Sequence, residues 1–582
     1  MSDFLGVSHS LMGRRWVGLA PEAVRLAEAM AQETALPEPL CRTLVRLGVA
    51  GADARAYLAP ALRDTLPDPR GLKDMSRAAE RFVHALNARQ RMAVFADYDV
   101  DGGTSAALLI DWLRQMGRDA TLYIPDRIDE GYGPNPPAMA DLAARHDLII
   151  CVDCGTLSHD ALKAGAAADI IVLDHHLAGE TLPPALAVVN PNRLDEDGAL
   201  SHLCAAGVVF LMLVEANRQL RQAGAKPPDL LAMLDLVGLA TIADVAPLRG
   251  VNRAFVRQGL KVMARRARPG LVALCDSARL DVAPSSYHLG FVLGPRINAG
   301  GRIGAADLGA RLLLSQNAQE AAALADRLDQ LNSERREIEA GVRAAAMAQA
   351  EARGLDGPLV WAVGAGWHPG VVGIVAARLK EATNRPAVVI GLESGIGKGS
   401  GRSVPGIDLG ACVQRVAAEG LLQKGGGHPM AAGLTVEEAQ IPAAMERLAA
   451  LLERQGARSV GPRDLTLDAL VIPGAVTVAL IEQLEAAGPF GAAAPAPRFA
   501  LPDMAVHQCR RVGENHLKVT VSDGLGKRLD AIAFNACDTD LGAALESHGG
   551  ARFHLAGRLD INHWQGRQTP QLRLEDAARA GG

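Results

Sequence analysis

The chain predicts a multidomain α/β protein: a parallel-sheet domain, a long connecting helix, a smaller α/β domain and a C-terminal β-barrel. Three observations carry this. Between 91 and about 250, short apolar runs alternate with helical patterns, and the runs end in acids. Such alternation indicates a parallel sheet with crossover helices. From 318 to 353 acids and bases alternate with no proline. From 461 onward the pattern becomes short strands divided by turns. The shifts divide the chain into a lead-in at 1–90 and segments 91–317, 318–356, 357–456 and 461–582.

The 582 residues are too many for one core, and two to four domains are expected. Hydrophobic residues at 49% and charged residues at 21% indicate a globular chain rather than a disordered one. With a net charge of −5, a nucleic-acid partner must be held by local basic patches or through metals. Eight cysteines do not suggest a disulfide scaffold, and they fit a reducing compartment. Cys151 and Cys154 form a CxxC without a second pair at zinc spacing, so they read as small buried thiols flanking Asp153. The N-terminus shows no apolar core of signal-peptide length, and no run approaches a membrane span. Cytoplasm is the default expectation, with no membrane.

In the lead-in, 50–59 and Met75–Asn87 carry apolar residues at helical spacing, interrupted by Pro60, Pro67 and Pro69. In the next segment the expected strands are Met92–Ala96, 120–124, Leu148–Val152, 170–173 and 186–189. Helices are expected at 105–116, Pro136–Arg145 and 158–164, and dominate from 204 to 273. The stretch FADYDVDGG places Asp97, Asp99 and Asp101 where a strand turns through Gly102 and Gly103 into a helix. Ligands collect at that edge in open α/β sheets. Carboxylates this close repel one another, and a divalent cation is the usual counter-charge. Asp153 and Asp174-His175-His176 follow two further strands, and 236–242 leads into Asp244. Asp oxygens with one or two imidazoles suit Mn²⁺ or Mg²⁺. Two such ions are a known device for in-line attack at phosphorus.

DYDVDG at 97–102, VDCGT at 152–156, LDHH at 173–176 and IADVAPL at 242–248 resemble, in order, the motifs of the DHH phosphoesterase superfamily. Their form resembles the RecJ branch, the single-stranded-DNA exonucleases acting 5′→3′. Many relatives carry a His where Phe95 stands here; Asp97 replaces it as ligand, a trait of that branch. The resemblance implies that Asp97, Asp99, Asp101, Asp153, His175 and Asp244 hold two Mn²⁺ or Mg²⁺ ions. It implies that His176 touches the scissile phosphate, completing the catalytic set.

Arg127, in YIPDRIDEGYG, is then expected to help hold the terminal phosphate. GPRINAGGR supplies Arg296, Asn298 and Arg302 around a Gly pair, a composition suited to phosphate oxygens. The run at 318–353 reads as one helix of roughly 50 Å. Its apolar positions are mostly Ala, with no Leu or Ile heptad for a dimer, so a monomer is expected.

The fourth segment holds strand candidates at 359–363 and 387–390 and the Gly-dense runs GIGKGSGRS and KGGGHPMAAG. No P-loop or dinucleotide fingerprint is met. Close backbone approach to an anion is the physical reading, with Ser400, Arg402, Ser403 and His428 nearby. The resemblance makes this the DHH-associated domain and assigns Ser400, Arg402 and His428 to the 5′-terminal phosphate and adjacent backbone, with His368 shaping the site. The last segment holds strands at 465–471, 498–507, 516–521, 529–534, 551–559 and 571–574, which suit an OB-fold. Phe534, Phe553, Trp564, Arg510, Arg511, Lys518 and Arg558 could supply stacking and phosphate contacts. The chain ends shortly after this barrel, so the extra C-terminal domain of some longer relatives is not expected.

The expected activity is metal-dependent 5′→3′ hydrolysis of single-stranded DNA to mononucleotides in repair and recombination. The resemblance adds a single-stranded-DNA-binding protein and a repair helicase as partners. One rival is a DHH phosphodiesterase acting on short oligoribonucleotides or cyclic dinucleotides, which generally lacks the barrel. The other is a non-catalytic DNA-binding scaffold, which the filled ligand positions oppose.

Overall fold

The computed structural model describes residues 3–126, 130–564 and 566–581. They form two compact units: 65–460, and 1–64 together with 461–582.

In the first unit a five-stranded, all-parallel sheet runs in the order Thr121–Tyr123, Met92–Ala96, Leu148–Val152, Asp169–Leu173, Ala187–Val189. Met92–Ala96 and Leu148–Val152 are buried throughout, which is why they read as unbroken apolar runs rather than alternating ones. From Met92–Ala96 the chain visits one neighbour, Thr121–Tyr123, and then crosses to the other, Leu148–Val152. That reversal creates a switch point at the carboxyl edge of the central strand, where such sheets bind ligands. The register pairs Ala96 with Val152, Val152 with Leu173, and Leu173 with Val189. Asp97, Asp153, Asp174 and Asn190 therefore emerge at one level.

The helix after the first acids spans Val100–Gln115, so Asp101, Gly102 and Gly103 lie inside its first turn rather than in a turn before it. A Cβ at Gly102 would stand 2.4 Å from the Asp97 carbonyl oxygen, so the strand-to-helix turn closes only around glycine there. Asp244 does not follow a strand. It caps the carboxyl end of the helix Leu234–Ala243, because the apolar run before it is buried on all sides as a helix. Phe95 is fully buried and stacks on Tyr123, 5.2 Å between ring centroids, so it belongs to the core.

The long helix Ala318–Arg353 has 36 residues, opening on an Asn317 cap. It buries Leu324, Leu328, Leu331, Val342 and Ala346, packing first on Gly294–Ile303 and Leu308–Leu314, then on Pro369–Thr383. GPRINAGGR is helical within Gly294–Ile303, so its glycine pair exposes no loop amides.

The Gly-dense segments are not loops. Lys424–His428, Ala431–Glu437, Ile396–Arg402, Ala387–Glu393 and Val360–Ala365 form a sheet in that order, antiparallel except for the last pair. Gly397, Gly399 and Gly401 face inward: an added Cβ would lie 2.8 Å from Ile390, 2.8 Å from Leu434 and 2.7 Å from Leu409. The strand's period of two then turns Lys398, Ser400 and Arg402 to the opposite face.

The second unit is a closed barrel ordered Ala469–Leu470, Phe499–Val512, His516–Ser522, Arg528–Ala533, Arg567–Arg579, Arg552–Trp564, with Phe499–Val512 also pairing with Arg552–Trp564. The lead-in is not one helical layer. Arg14–Val17 is a strand paired in parallel with Arg463–Thr466, and Leu40 and Leu44 share a core with Leu517 and Val519. Buried Asp576 accepts hydrogen bonds from Ser10 Oγ (2.7 Å), Trp16 Nε1 (3.0 Å) and Met12 N (3.2 Å). No helix among the described residues is long and apolar enough to cross a membrane.

Candidate active site

The acids of the first turn are fixed by backbone amides. Asp99 caps its own helix, accepting from Asp101 N at 2.8 Å and Gly102 N at 3.1 Å. Asp101 accepts from Ala205 N at 2.6 Å and Ala206 N at 2.9 Å, so its charge sits at the N-terminus of the helix Ala205–Gln222. Asp153 adopts a left-handed backbone, φ 59°, uncommon for a residue with a side chain. His175 Nε2 lies 3.2 Å from Asp153 Oδ1, 3.7 Å from Asp101 Oδ2 and 3.9 Å from Asp244 Oδ2.

The expected ligands fall into two sets whose donor atoms converge within 4.8 Å, Asp97, Asp99 and Asp153, and Asp101, His175 and Asp244; a third set, Asp153, His175 and His176, shares a member with each. Burial, then the charges of Asp101, Asp99, Asp97 and Asp244, push the Asp153 carboxyl far above its ordinary range. Burial, with Asp101 and Asp99 beside it, lifts Asp244 to about 8. Burial likewise raises Asp101. Asp153 Oδ1 is buried without a hydrogen-bond partner among the described residues. Such a group is costly unless a cation takes it, and an oxygen-rich set with imidazole fits Mn²⁺ or Mg²⁺.

Asp174 anchors the triplet instead of joining the cluster. It accepts from Thr156 N (3.0 Å), His175 N (2.7 Å), His176 N (3.1 Å) and His176 Nδ1 (2.8 Å). Burial opposes its charge, but these donors, His176 first, hold the carboxyl below the carboxylate range. Burial also opposes the His176 imidazolium, yet Asp174 raises its pKa to about 9.

A cleft of about 660 Å³ is lined by Asp99 and Asp244 together with Asn298, Arg302, Gly373, Ser400 and Arg402. Arg302 Nη1 donates to the Gly370 carbonyl at 3.0 Å, and Arg402 Nη1 donates to Ser400 Oγ at 3.0 Å. Asn298 Oδ1 accepts from Val100 N at 3.0 Å, tying its helix to the acidic turn. His368 caps Pro369–Thr383, its Nδ1 accepting from Gly370 N at 3.0 Å.

Two expected phosphate residues stand elsewhere. Arg296 is spent on Asp329 (2.8 Å) and the Val292 carbonyl (2.7 Å), away from the cleft lining, because its helix turns it toward Ala318–Arg353. His428 is exposed at the end of its strand, outside that lining. Arg127 lies outside the described residues. Residues not singled out beforehand also shape the site. Asn190 Nδ2 donates to the His176 carbonyl at 2.8 Å, Asn192 Nδ2 donates to the His175 carbonyl, and Tyr132 reaches His176. The strand ending in VVNPN was the available signal for the two asparagines.

On the barrel, Phe553 is core and Phe534 is exposed with the Arg573 guanidinium 5.0 Å from its ring centre. Arg511 pairs with Glu546, Lys518 with Asp530 and Arg558 with Glu575. Arg510 is exposed, and the Trp564 side chain lies outside the described part.

Sequence comparison finds the DHH family N-terminal domain at 91–241, the DHHA1 domain at 356–454 and the RecJ OB domain at 467–576. The chain is 39% identical over 566 residues to the single-stranded-DNA-specific exonuclease RecJ of Dickeya dadantii, covering 93% of this chain and 97% of that one. To the Escherichia coli protein of the same name it is 36% identical over 578 residues, covering 95% and 99%. The crystal structure of RecJ in complex with Mn²⁺ from Thermus thermophilus superposes with a TM-score of 0.80 at 31% identity, covering 97% of this chain and 79% of that one.

Proposed function

The chain belongs to the RecJ family of single-stranded-DNA-specific exonucleases, and from that premise we propose that it hydrolyses single-stranded DNA 5′→3′ to mononucleotides in DNA repair and recombination. The observation that carries this is one cleft that brings Asp99 and Asp244, a member of each acidic set, together with Arg302, Ser400 and Arg402.

Asp97, Asp99 and Asp153 would hold one Mn²⁺ or Mg²⁺ ion, and Asp101, His175 and Asp244 a second, with Arg127 as a further phosphate contact. When bound, the ions make water a nucleophile at neutral pH and neutralise charge at the leaving oxygen. The chain's own groups do the rest. Arg302 and Arg402 bind the 5′-terminal phosphate, and Ser400 orients Arg402. His176, held protonated by Asp174, directs Nε2 at a non-bridging oxygen of the scissile phosphate and stabilises its developing charge. Seating the 5′ end at Arg302 and Arg402, beside the acids where water would be activated, sets the polarity and the one-nucleotide step.

The protein works as a monomer in the cytoplasm beside a single-stranded-DNA-binding protein and a repair helicase. The apolar stripe of Ala318–Arg353, buried within its own chain, supports the monomer. The test is single-stranded DNA labelled at the 5′ or the 3′ end and digested with Mn²⁺, Mg²⁺ or chelator. Mononucleotides should appear from the 5′ end and stop with chelator. Faster turnover of di- and triribonucleotides than of long single-stranded DNA would overturn the substrate assignment.

A further inference from the structure

His176 is held at every point but one. Its Nδ1 meets Asp174 at 2.8 Å, its backbone N–H meets the same carboxylate at 3.1 Å, and its carbonyl accepts from Asn190. The remaining atom, Nε2, is the one free to meet a phosphate, and the Tyr132 hydroxyl stands 3.1 Å from it. The two rings sit edge-on, 5.9 Å between centroids at 72°. The same hydroxyl lies 3.4 Å from the Asp153 carbonyl oxygen. Tyr132 is otherwise 56% exposed, so packing alone does not dictate this placement.

We infer that Tyr132 is a positioning residue whose hydroxyl occupies His176 Nε2 in the free protein and yields it to the scissile phosphate. Asp174 fixes one nitrogen but leaves the ring free to tilt about that single hydrogen bond. A second partner at Nε2 removes that freedom and fixes the direction of that nitrogen before DNA arrives. When a phosphate oxygen takes the N–H, the hydroxyl keeps a partner in the Asp153 carbonyl, so the exchange leaves no buried group unsatisfied. The inference rests on the reading of His176 as the phosphate-contacting imidazole. It differs from a role for the aromatic ring, which any base-facing side chain could supply.

The experiment is a double-mutant cycle with Tyr132→Phe, His176→Ala and the pair, read as single-turnover cleavage and KM on 5′-phosphorylated single-stranded DNA with Mn²⁺. Tyr132→Phe removes one oxygen from a half-exposed side chain, and its melting temperature and Mn²⁺ binding should match the parent. Its cleavage rate should fall about 3- to 10-fold with KM little changed, the size expected for one hydrogen bond. In the His176→Ala background the same change should have no further effect. Tyr132→Ala, which also removes the ring, should add a loss in KM. A parent-like rate for Tyr132→Phe, with His176→Ala impaired, would overturn the inference and leave the function standing. So would a loss that persists undiminished without His176. A parent-like rate for His176→Ala would overturn the role of His176 and this inference with it.

Discussion

Asp153 sits in a backbone region that a side chain enters at a cost, with one oxygen buried and without a hydrogen-bond partner among the described residues, and like charges around it. Strain of that kind persists where the surroundings over-determine it, and here the level register of three strands does so. Asp153→Asn keeps the shape and removes the charge. Cleavage should fall on the order of 10³-fold or more, with affinity for single-stranded DNA nearly unchanged; an active variant would remove Asp153 from the metal set. Stability follows from the same crowding. With metal stripped, Asp244 keeps its proton up to about 8, and His176 keeps its own to about 9. The fold thus binds protons that the unfolded chain releases lower, near about 4 for the acid and 6.5 for the imidazole. That stabilisation is complete below those values and is lost as pH rises through 8 to 9. The melting temperature of chelator-treated protein should therefore fall between pH 6 and 9, added Mn²⁺ should restore more at the alkaline end, and Asp244→Asn should flatten the slope. Most of these residues were legible because each acid follows an unbroken apolar run. Tyr132 was not, because nothing in a loop tells which way a ring folds back.

At the scale of elements, the glycines of Ile396–Arg402 mattered more than their flexibility suggested. GKGSGR alternates glycine with polar residues, a period of two that marks a strand, but glycine is depleted in strands and so masks it. The run before Asp244 misled in the opposite direction: an apolar stretch buried on all sides reads alike as strand or helix. Gly373 shows what these small residues permit. A Cβ there would stand 3.1 Å from Ser400 Oγ and 3.3 Å from Arg402 Nη2, on the cleft side of Pro369–Thr383. Gly373→Val should crowd the phosphate wall without touching the acids. KM for 5′-phosphorylated ends should rise by about tenfold and kcat change little. Competition between phosphorylated and dephosphorylated ends measures this; an unchanged preference would place the terminal phosphate elsewhere.

At the scale of the molecule, the division at 64/65 and 460/461 is what the sequence hid most completely. The helical spacing of the first residues was correct locally, but pairing of Arg14–Val17 with Arg463–Thr466 spans the chain, and local pattern carries no sign of it. The consequence can be tested by truncation. Removing 461–582 alone takes away the partners of Trp16, Leu40 and Leu44, all nearly fully buried. Each such side chain left in water forfeits roughly 1.5–3 kcal/mol, and together they form an adhesive patch. Residues 1–460 should therefore aggregate on expression. Residues 65–460, which keep both walls of the cleft, should remain soluble, melt cooperatively and cleave short 5′-phosphorylated DNA in Mn²⁺. Loss of the barrel should weaken binding to long strands and steepen the dependence of rate on DNA length. Size-exclusion profiles of the two truncations, with cleavage of short and long substrates, decide the matter. Equal solubility of 1–460 would show that the first 64 residues need no barrel to fold, and an inactive but folded 65–460 would mean that the cleft depends on the second unit.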